Sequence, residues 1–396
     1  MTRHGARPSA GVRLYDMSRR QDVAAFEELR ACGEPPHEVD ALAGIVEELF
    51  RTEFPFLAAD SPYYQVTYQR YLASRWHGGD LRRAGVWAYF PWRRTAVHLP
   101  DETTFSRLRT ARNRDLITQQ EQQRYHAARV GVAGLSVGMS AVMTLVGTGG
   151  AGRLRIADPD TLALTNLNRV TASVCHLGLS KATLCAERVW ELNPFQHIEM
   201  FDGLSDRTAE DFFGRGTDSL DLLIEETDDL RVKARARFTA RSRKVPVVMA
   251  TDNGDNVLVD VERYDLEPRR PLFHGAVDQE RLRRLPERLT DAERVLLADA
   301  LVGPDVTVRM KLSLLQVGTR LVGWPQLGTA ATLAGAALAY TARRILTGQP
   351  MPSGRYAVDL DAALDVDHHA PQAVAERERV DAEYTASMRT LFGDAP

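Results

Sequence analysis

The sequence predicts an α/β fold: a doubly wound, mostly parallel sheet with a small N-terminal α/β extension. Three observations carry this. From Ala128 onward, short apolar runs alternate with helix-patterned segments, the order produced when crossover helices return the chain to a parallel neighbour. The first of these runs enters a turn of small residues, with Gly134, Ser136 and Gly138 opening a helix. Ahead of them lies a stretch of different texture, rich in aromatic and β-branched residues.

Composition sets the outer limits. The chain has 396 residues, 44% apolar and 26% charged, which suits a folded protein of two or three structural units. Lys+Arg is 50 and Asp+Glu 53, a net charge of −3 that offers no global basic field to a nucleic acid or a membrane surface. Three cysteines exclude a disulfide scaffold and a four-cysteine zinc site, and suit a reducing cytoplasm. Met1 to Val12 has no apolar core and does not read as a secretory signal. Leu327 to Ala342, the longest weakly polar run, is shorter than the roughly 20 apolar residues a bilayer crossing requires, and reads as a buried helix.

In chain order, residues 1–20 are Arg- and Gly-rich without periodicity and read as a mobile arm. Residues 21–106 form the extension. There, from Glu38, Val39, Leu42, Ile45, Val46, Leu49 and Phe50 recur at helical spacing, and Ala84 to Leu99 reads as two short strands around a turn at Pro91 to Arg94. Residues 107–350 form the main domain. Its expected strands lie at Ala128 to Ala133, Arg153 to Ala157, Asp221 to Glu225 and Val245 to Ala250, with a more polar strand at Asn256 to Asp265. Helices are expected at Ser140 to Val146, Lys181 to Leu192 and the basic Arg231 to Lys244. A charged segment, Arg281 to Arg294, and the Ala-rich helix come next, and residues 351–396 read as an acidic-leaning tail.

The strand–turn–helix at Val130 to Val146 is where a parallel α/β sheet receives phosphates, because small residues admit them to the backbone amides of a helix N-terminus. The dinucleotide fingerprint is only partly present: Gly134 fills its first position, but Ser136 and Met139 stand in the second and third. Alone, this turn is equally consistent with packing. The residues downstream of it are more specific. Asp158 comes 24 residues after Gly134, at the end of the next strand, where an acid accepts hydrogen bonds from ribose hydroxyls. Asn166-Leu167-Asn168-Arg169 lies one loop later and Lys181 opens the next helix, placing cations suited to a triphosphate. Glu225-Glu226-Thr227-Asp228-Asp229 closes a later strand with carboxylates, a magnesium anchor.

These residues resemble the ubiquitin-activating-enzyme-like (ThiF/MoeB/HesA) adenylyltransferase superfamily over about Arg107 to Leu346. Asp158-x-Asp160 with Asn166-Leu167-Asn168-Arg169 carries its most specific motif. Gly178-Leu179-Ser180-Lys181-Ala182 is similar to its lysine motif. Thr227-Asp228-Asp229 is similar to its magnesium motif, with Asp where Asn is usual. Trp324-Pro325-Gln326 is also familiar from the family. The resemblance implies a Rossmann-like domain using ATP and Mg2+. Gly134, Ser136 and Gly138 would form the phosphate turn; Asp158, with Asp160, would serve the ribose side; Asn166, Arg169 and Lys181 would contact phosphates, and Asp228 would hold the metal. Lys233 is similar to a basic residue common after the magnesium Asp. Arg114, in Arg112-Asn113-Arg114, resembles an arginine that enters the neighbouring subunit's ATP site, implying a homodimer. A bacterial branch with an N-terminal extension is the nearest likeness, through Tyr89-Phe90-Pro91-Trp92 and Asp260-Val261-Glu262-Arg263-Tyr264. Some of its members are fused to a nitroreductase-like domain, which this chain is too short to contain, so a nitroreductase-like protein is a further partner to expect.

One departure is sharp. Relatives that form a thioester use a cysteine well after the magnesium motif, and many carry two C-x-x-C pairs; no cysteine lies beyond Cys185 here. The expected chemistry therefore ends at activation of a carboxylate, on a peptide, a small acid or a carrier-protein C-terminus. Cys175 and Cys185 read as packed thiols. His274 reads as a core or loop residue, and His368-His369 as part of a solvated tail. The basic Arg231 to Lys244 helix reads as a solvated face, while Trp87, Tyr89, Phe90 and Trp92 suit core packing or peptide recognition equally. Two alternatives stand beside adenylation: a nucleotide-binding scaffold without turnover, and an NAD(P)-dependent oxidoreductase, for which no hydride-transfer partner is evident.

Overall fold

Apolar alternation and turn chemistry build two compact units, seen in a computed structural model that describes residues 11–76 and 80–392. One unit holds the chain up to Gln122 together with Ala186–Gln196; the other holds Gln123–Cys185 and the chain from His197.

The first unit contains strands β1 (Arg13–Asp16), β2 (His37–Asp40), β3 (Val86–Phe90) and β4 (Thr95–Leu99). Its helices are α1 (Arg20–Ala31), α2 (Leu42–Glu53), α3 (Tyr64–Arg75) and α4 (Glu102–Arg109); next along the chain is α5 (Gln119–Ala127), which crosses into the second unit. The sheet order is β1-β3-β4-β2, and β2 runs parallel to β4. The helical spacing of Leu42, Val46, Leu49 and Phe50 buries one face of α2 against Tyr64 and Tyr71 of α3. On β3, Trp87 stacks on Phe26 of α1 at 5.1 Å. The aromatic cluster is thus core: Trp87, Tyr89 and Phe90 are buried, and Trp92 donates to Glu191 Oε1 at 2.6 Å.

The second unit carries β5 (Arg129–Ala133), α6 (Gly138–Gly147), β6 (Arg153–Ala157), α7 (Lys181–Leu192), β7 (His197–Phe201), α8 (Ala209–Phe213), β8 (Leu222–Glu225), α9 (Leu230–Ser242), β9 (Val247–Asn253) and β10 (Asn256–Glu262). The second half of α7 clusters with the first unit. After β10 come α10 (Gln279–Arg283), α11 (Asp291–Val302), α12 (Val308–Leu314), α13 (Gly328–Thr347), β11 (Gly354–Val358), α14 (Leu360–Leu364) and α15 (Pro371–Phe392). The sheet order is β11-β10-β9-β8-β5-β6-β7. β9, β8, β5, β6 and β7 are mutually parallel, while β10 and β11 add an antiparallel margin.

Both faces are covered, as doubly wound sheets require. Successive residues of β5 point to opposite faces. A Cβ on Gly131 would meet Leu220 and Phe212, which belong to the cluster containing α8 and α9, whereas Val132 meets Gly138 of α6. α13 lies on α6, where Gly335 sits against the Ser140 backbone. The chain proceeds outward from β5 through β6 and β7, then returns to the other side of β5 at β8. That reversal opens a crevice beyond the carboxyl ends of β5 and β8, where ligands of open α/β sheets bind.

Several expectations are corrected. Residues 1–10 of the expected mobile arm lie outside the described residues, and the rest of it supplies β1, paired with β3. The helix expected from Glu38 begins at Leu42, because His37–Asp40 pairs with β4. The two compact units divide at Gln122, and Ala186–Gln196 belongs with the first. The segment from Met351 is no separate tail: β11 pairs with β10, and α15 packs on α12. β10, expected as a more polar strand, is buried throughout, because β9 and β11 flank it and α13 packs against it.

Candidate active site

The crevice is built by loops that leave the parallel strands. Gly134, at φ +86°, turns the chain from β5 into α6. A Cβ there would lie 2.3 Å from the Glu226 carbonyl oxygen, so the turn needs glycine both for its backbone and for the approach of the loop after β8. Ser136 is half-buried in the turn, and Gly138 starts α6 against Val132 and Glu226. Amides at the start of such a helix lack intrahelical acceptors and are the donors a phosphate uses.

Asp158 follows β6 directly, at 5% exposure. Its Oδ2 accepts from the Leu135 amide at 2.6 Å and its Oδ1 from the Asp160 amide at 2.9 Å. Burial raises its pKa, against the amide bonds and the Lys181 charge. The acid is therefore fixed to the phosphate turn itself. Lys181, the first residue of α7 and 5% exposed, reaches Asp160 Oδ2 at 2.8 Å and Asp158 Oδ1 at 3.7 Å. The structure thus joins Gly134, Asp158, Asp160 and Lys181 in one cluster.

Asn166 is buried and spends its Oδ1 on the Ala163 amide at 3.0 Å, shaping the loop. That role is local: its carbonyl side is already occupied. Asn168 donates to the Gln326 carbonyl at 2.8 Å, tying this loop to the Trp324-Pro325-Gln326 segment. Arg169 donates from Nη1 to Asn168 Oδ1 at 3.0 Å and to the Thr165 carbonyl at 3.3 Å, while its buried Nε has no hydrogen-bond partner.

On the other side of the crevice, Glu225 ends β8 fully buried. Its Oε1 accepts from the Thr227 amide at 2.9 Å and from the Thr227 hydroxyl at 2.5 Å. Its Oε2 accepts from Arg237 Nη1 at 2.5 Å and Lys233 Nζ at 3.2 Å. Burial pushes the Glu225 carboxyl up, but Lys233 and Arg237 overcome it and hold the pKa below the usual range. Glu226 accepts from the Ala250 amide at 2.6 Å; burial, then Glu225 and Asp252, raise its pKa well above the ordinary value despite Lys233. Asp228 is exposed on the loop these contacts pin, and Asp229 caps α9 through the Arg231 and Val232 amides at 2.8 and 3.1 Å.

Two features were not legible in the sequence. Arg237 is not part of a solvated face but wholly buried, bridging Glu225 and Glu262. Asp252, near the end of β9, is 4% exposed and takes Gln326 Nε2 on Oδ2 at 3.1 Å. Burial pushes its pKa up to about 6; Gln326 and Arg169 oppose this and Asp228 adds to it. No spacing rule marks either residue.

Arg114 belongs to the first unit, exposed just after the one-turn helix Ala111–Asn113. Cys185 is buried as expected, but Cys175 is exposed on the loop before α7 rather than packed. His274 pairs with Asp260 at 2.9 Å and Arg270 at 3.0 Å. Among the described residues no three or more His, Cys, Asp or Glu gather as a metal site. A magnesium ion arriving with a triphosphate needs only one or two carboxylates, a demand that Asp228 and a neighbouring acid fit.

A glycine turn, a buried acid tied to it, an adjacent lysine and a carboxylate loop across the strand reversal stand where open α/β sheets take their ligands. The chain belongs to the ThiF family, whose sequence profile matches residues 110–367. It is 42% identical over 286 residues to the uncharacterized protein MT1398 of Mycobacterium tuberculosis, covering 72% of this chain and 39% of that one. It is 29% identical over 133 residues to tRNA threonylcarbamoyladenosine dehydratase of Escherichia coli, covering 33% and 48%. The crystal structure of the E. coli dehydratase in complex with ATP matches with a TM-score of 0.44 and 19% identity, over 61% of this chain and 95% of that one. The chain spans less than half the length of these two curated relatives. No helix among the described residues is long and apolar enough to cross a membrane.

Proposed function

We propose that this chain is an ATP- and Mg2+-dependent adenylyltransferase that activates a carboxylate without forming an enzyme thioester. The observation that carries this is the joining of Asp158, Asp160 and Lys181 to the Gly134 turn, opposite the Asp228 loop, in a ThiF-family domain. Adenylation needs cations at the phosphates and a fixed acid at the ribose, and this crevice offers both. The substrate carboxylate attacks the α-phosphorus; a carboxyl–phosphorus bond forms, the α–β anhydride breaks, and pyrophosphate leaves with its electron pair. Lys181 and Arg169 stabilise the charge that develops on the phosphates. Asp158 orients the ribose and keeps the turn amides aligned. A magnesium ion held by Asp228 would add positive charge at the leaving pyrophosphate. Arg114 completes the partner's site in a homodimer.

Absence of a cysteine after Cys185 supports transfer to a nucleophile on the substrate, on water or on a second protein. The carboxylate belongs to a peptide, a small acid or a carrier-protein C-terminus, and a nitroreductase-like protein is a proposed partner. The reading is tested by carboxylate-dependent exchange of labelled pyrophosphate into ATP. Asp228→Ala is expected to abolish exchange with the fold intact; normal exchange in that variant refutes the magnesium assignment.

A further inference from the structure

Asp252 has the features of a ligand waiting for a cation. It lies near the carboxyl end of β9, beside the crevice, at 4% exposure. Three contacts fix it: Gln326 Nε2 on Oδ2 at 3.1 Å, Trp324 Nε1 on its main-chain oxygen at 3.2 Å, and β10 through Val257. Its Oδ1 is buried and accepts no hydrogen bond. A carboxylate oxygen left without a partner in the interior is costly, and such an orphan calls for a ligand that satisfies it.

The surroundings say what that is. Arg169 and Asp228 both act electrostatically on the Asp252 carboxyl, the arginine lowering its pKa and the acid raising it. Arg169 carries the complementary orphan, a buried Nε with nothing to donate to. Arg169 Nε and Asp252 Oδ1 do not satisfy each other. An anion paired with a dication resolves both at once: a phosphate oxygen accepts from Arg169, and the metal, or a water on it, meets Asp252. Two neighbouring carboxylates also repel until a dication lies between them, which argues against a monovalent group alone.

We propose that Asp252 supplies the second carboxylate of the Asp228 magnesium site through its free Oδ1, and that Gln326 and Trp324 hold it there. This rests on the adenylyltransferase reading and adds a ligand to it. It gives the Trp324-Pro325-Gln326 segment a physical task, since Gln326 links Asp252 to Asn168 of the phosphate-arginine loop.

The test compares ATP affinity of the full chain in saturating Mn2+ and in EDTA, by calorimetry, with the electron paramagnetic resonance line shape of the ternary Mn2+·ATP complex. Asp252→Asn keeps the side-chain shape and a partner for Gln326. It is expected to cut the Mn2+-dependent gain in ATP affinity tenfold or more and to change the line shape, with EDTA affinity unchanged or tighter. Asp252→Glu is expected to restore part of the gain. A gain within twofold of wild type in Asp252→Asn overturns the proposal, as does an equal loss in Mn2+ and EDTA, which marks a purely structural residue. If wild type binds ATP in neither medium, the adenylyltransferase reading fails as well; if wild type gains from Mn2+ and Asp252→Asn gains equally, only the second ligand is lost.

Discussion

Replacing Arg237 by methionine removes the guanidinium that holds the floor of the crevice. Arg237 is fully buried, donates to Glu262 from Nε at 2.6 Å and to Glu225 from Nη1 at 2.5 Å, and lies 4.1 Å over the Phe273 ring. Methionine preserves most of the volume, so the cost is electrostatic. Two buried carboxylates lose their shared cation. Each keeps other partners: Lys233 and Thr227 for Glu225, the Tyr264 hydroxyl and the Phe273 amide for Glu262. Breaking a buried pair from one side costs about 3–5 kcal/mol, and the retained partners argue against doubling it. With a urea slope of about 2–3 kcal/mol/M, the unfolding midpoint falls by roughly 1–2.5 M. Urea titration monitored by far-ultraviolet circular dichroism, with pulse proteolysis as a second probe, measures this. Adding Glu262→Gln to Arg237→Met is expected to recover part of the loss. A loss under about 1 kcal/mol refutes the reasoning that this network is an obligatory tether. Because Glu225 also binds Thr227, the variant is further expected to weaken ATP binding through the Asp228 loop.

Gly134→Ala forces a Cβ to within 2.3 Å of the Glu226 carbonyl at a φ of +86°, so thermal melts are expected to fall by an amount equivalent to about 2 kcal/mol or more, with ATP binding lost. Glu187, buried on α7, has its pKa raised to about 7 by burial and by Glu191, against Arg93. A carboxyl whose folded pKa exceeds its unfolded value favours folding only while protonated. Stability is therefore lost as pH rises from about 4.5 to 7 and then levels. Glu187→Gln is expected to stabilise the chain by about 1–2 kcal/mol at pH 8, after allowance for solvent screening, and to change little at pH 4.5, as read by urea midpoints. Cys175→Ser is expected to leave pyrophosphate exchange within twofold of wild type; abolition would place a thiol in the chemistry.

The helix Lys181–Leu192 and the strand Arg153–Ala157 are legible to the residue because each has its own apolar period and stop signals. The meeting of Asp158 and Lys181 is legible because each follows a β-strand of the same βαβ unit, and the structure brings them to 3.7 Å. β7 is not legible, because His197-Ile198-Glu199-Met200-Phe201 is a short edge strand whose His and Glu interrupt the apolar run. Arg237 is hidden because its partners Glu225 and Glu262 lie 12 and 25 residues away, and only the sheet brings them under the helix. Asp252 is hidden for a similar reason: its partners at Trp324 and Gln326 are 72 and 74 residues distant. Local patterns report which face is apolar, whereas a buried charge is decided by what the far chain delivers to it.

The proposed chemistry depends on a triphosphate site between the carboxyl ends of β5 and β8. Calorimetric titration of the full chain with ATP in Mg2+, and separately with NADH, tests it most directly, with Lys181→Ala as the control. ATP is expected to bind the wild type, to lose at least tenfold in affinity with Lys181→Ala, and NADH to give no heat. Binding of NADH without ATP, or ATP binding indifferent to Lys181, would contradict the account.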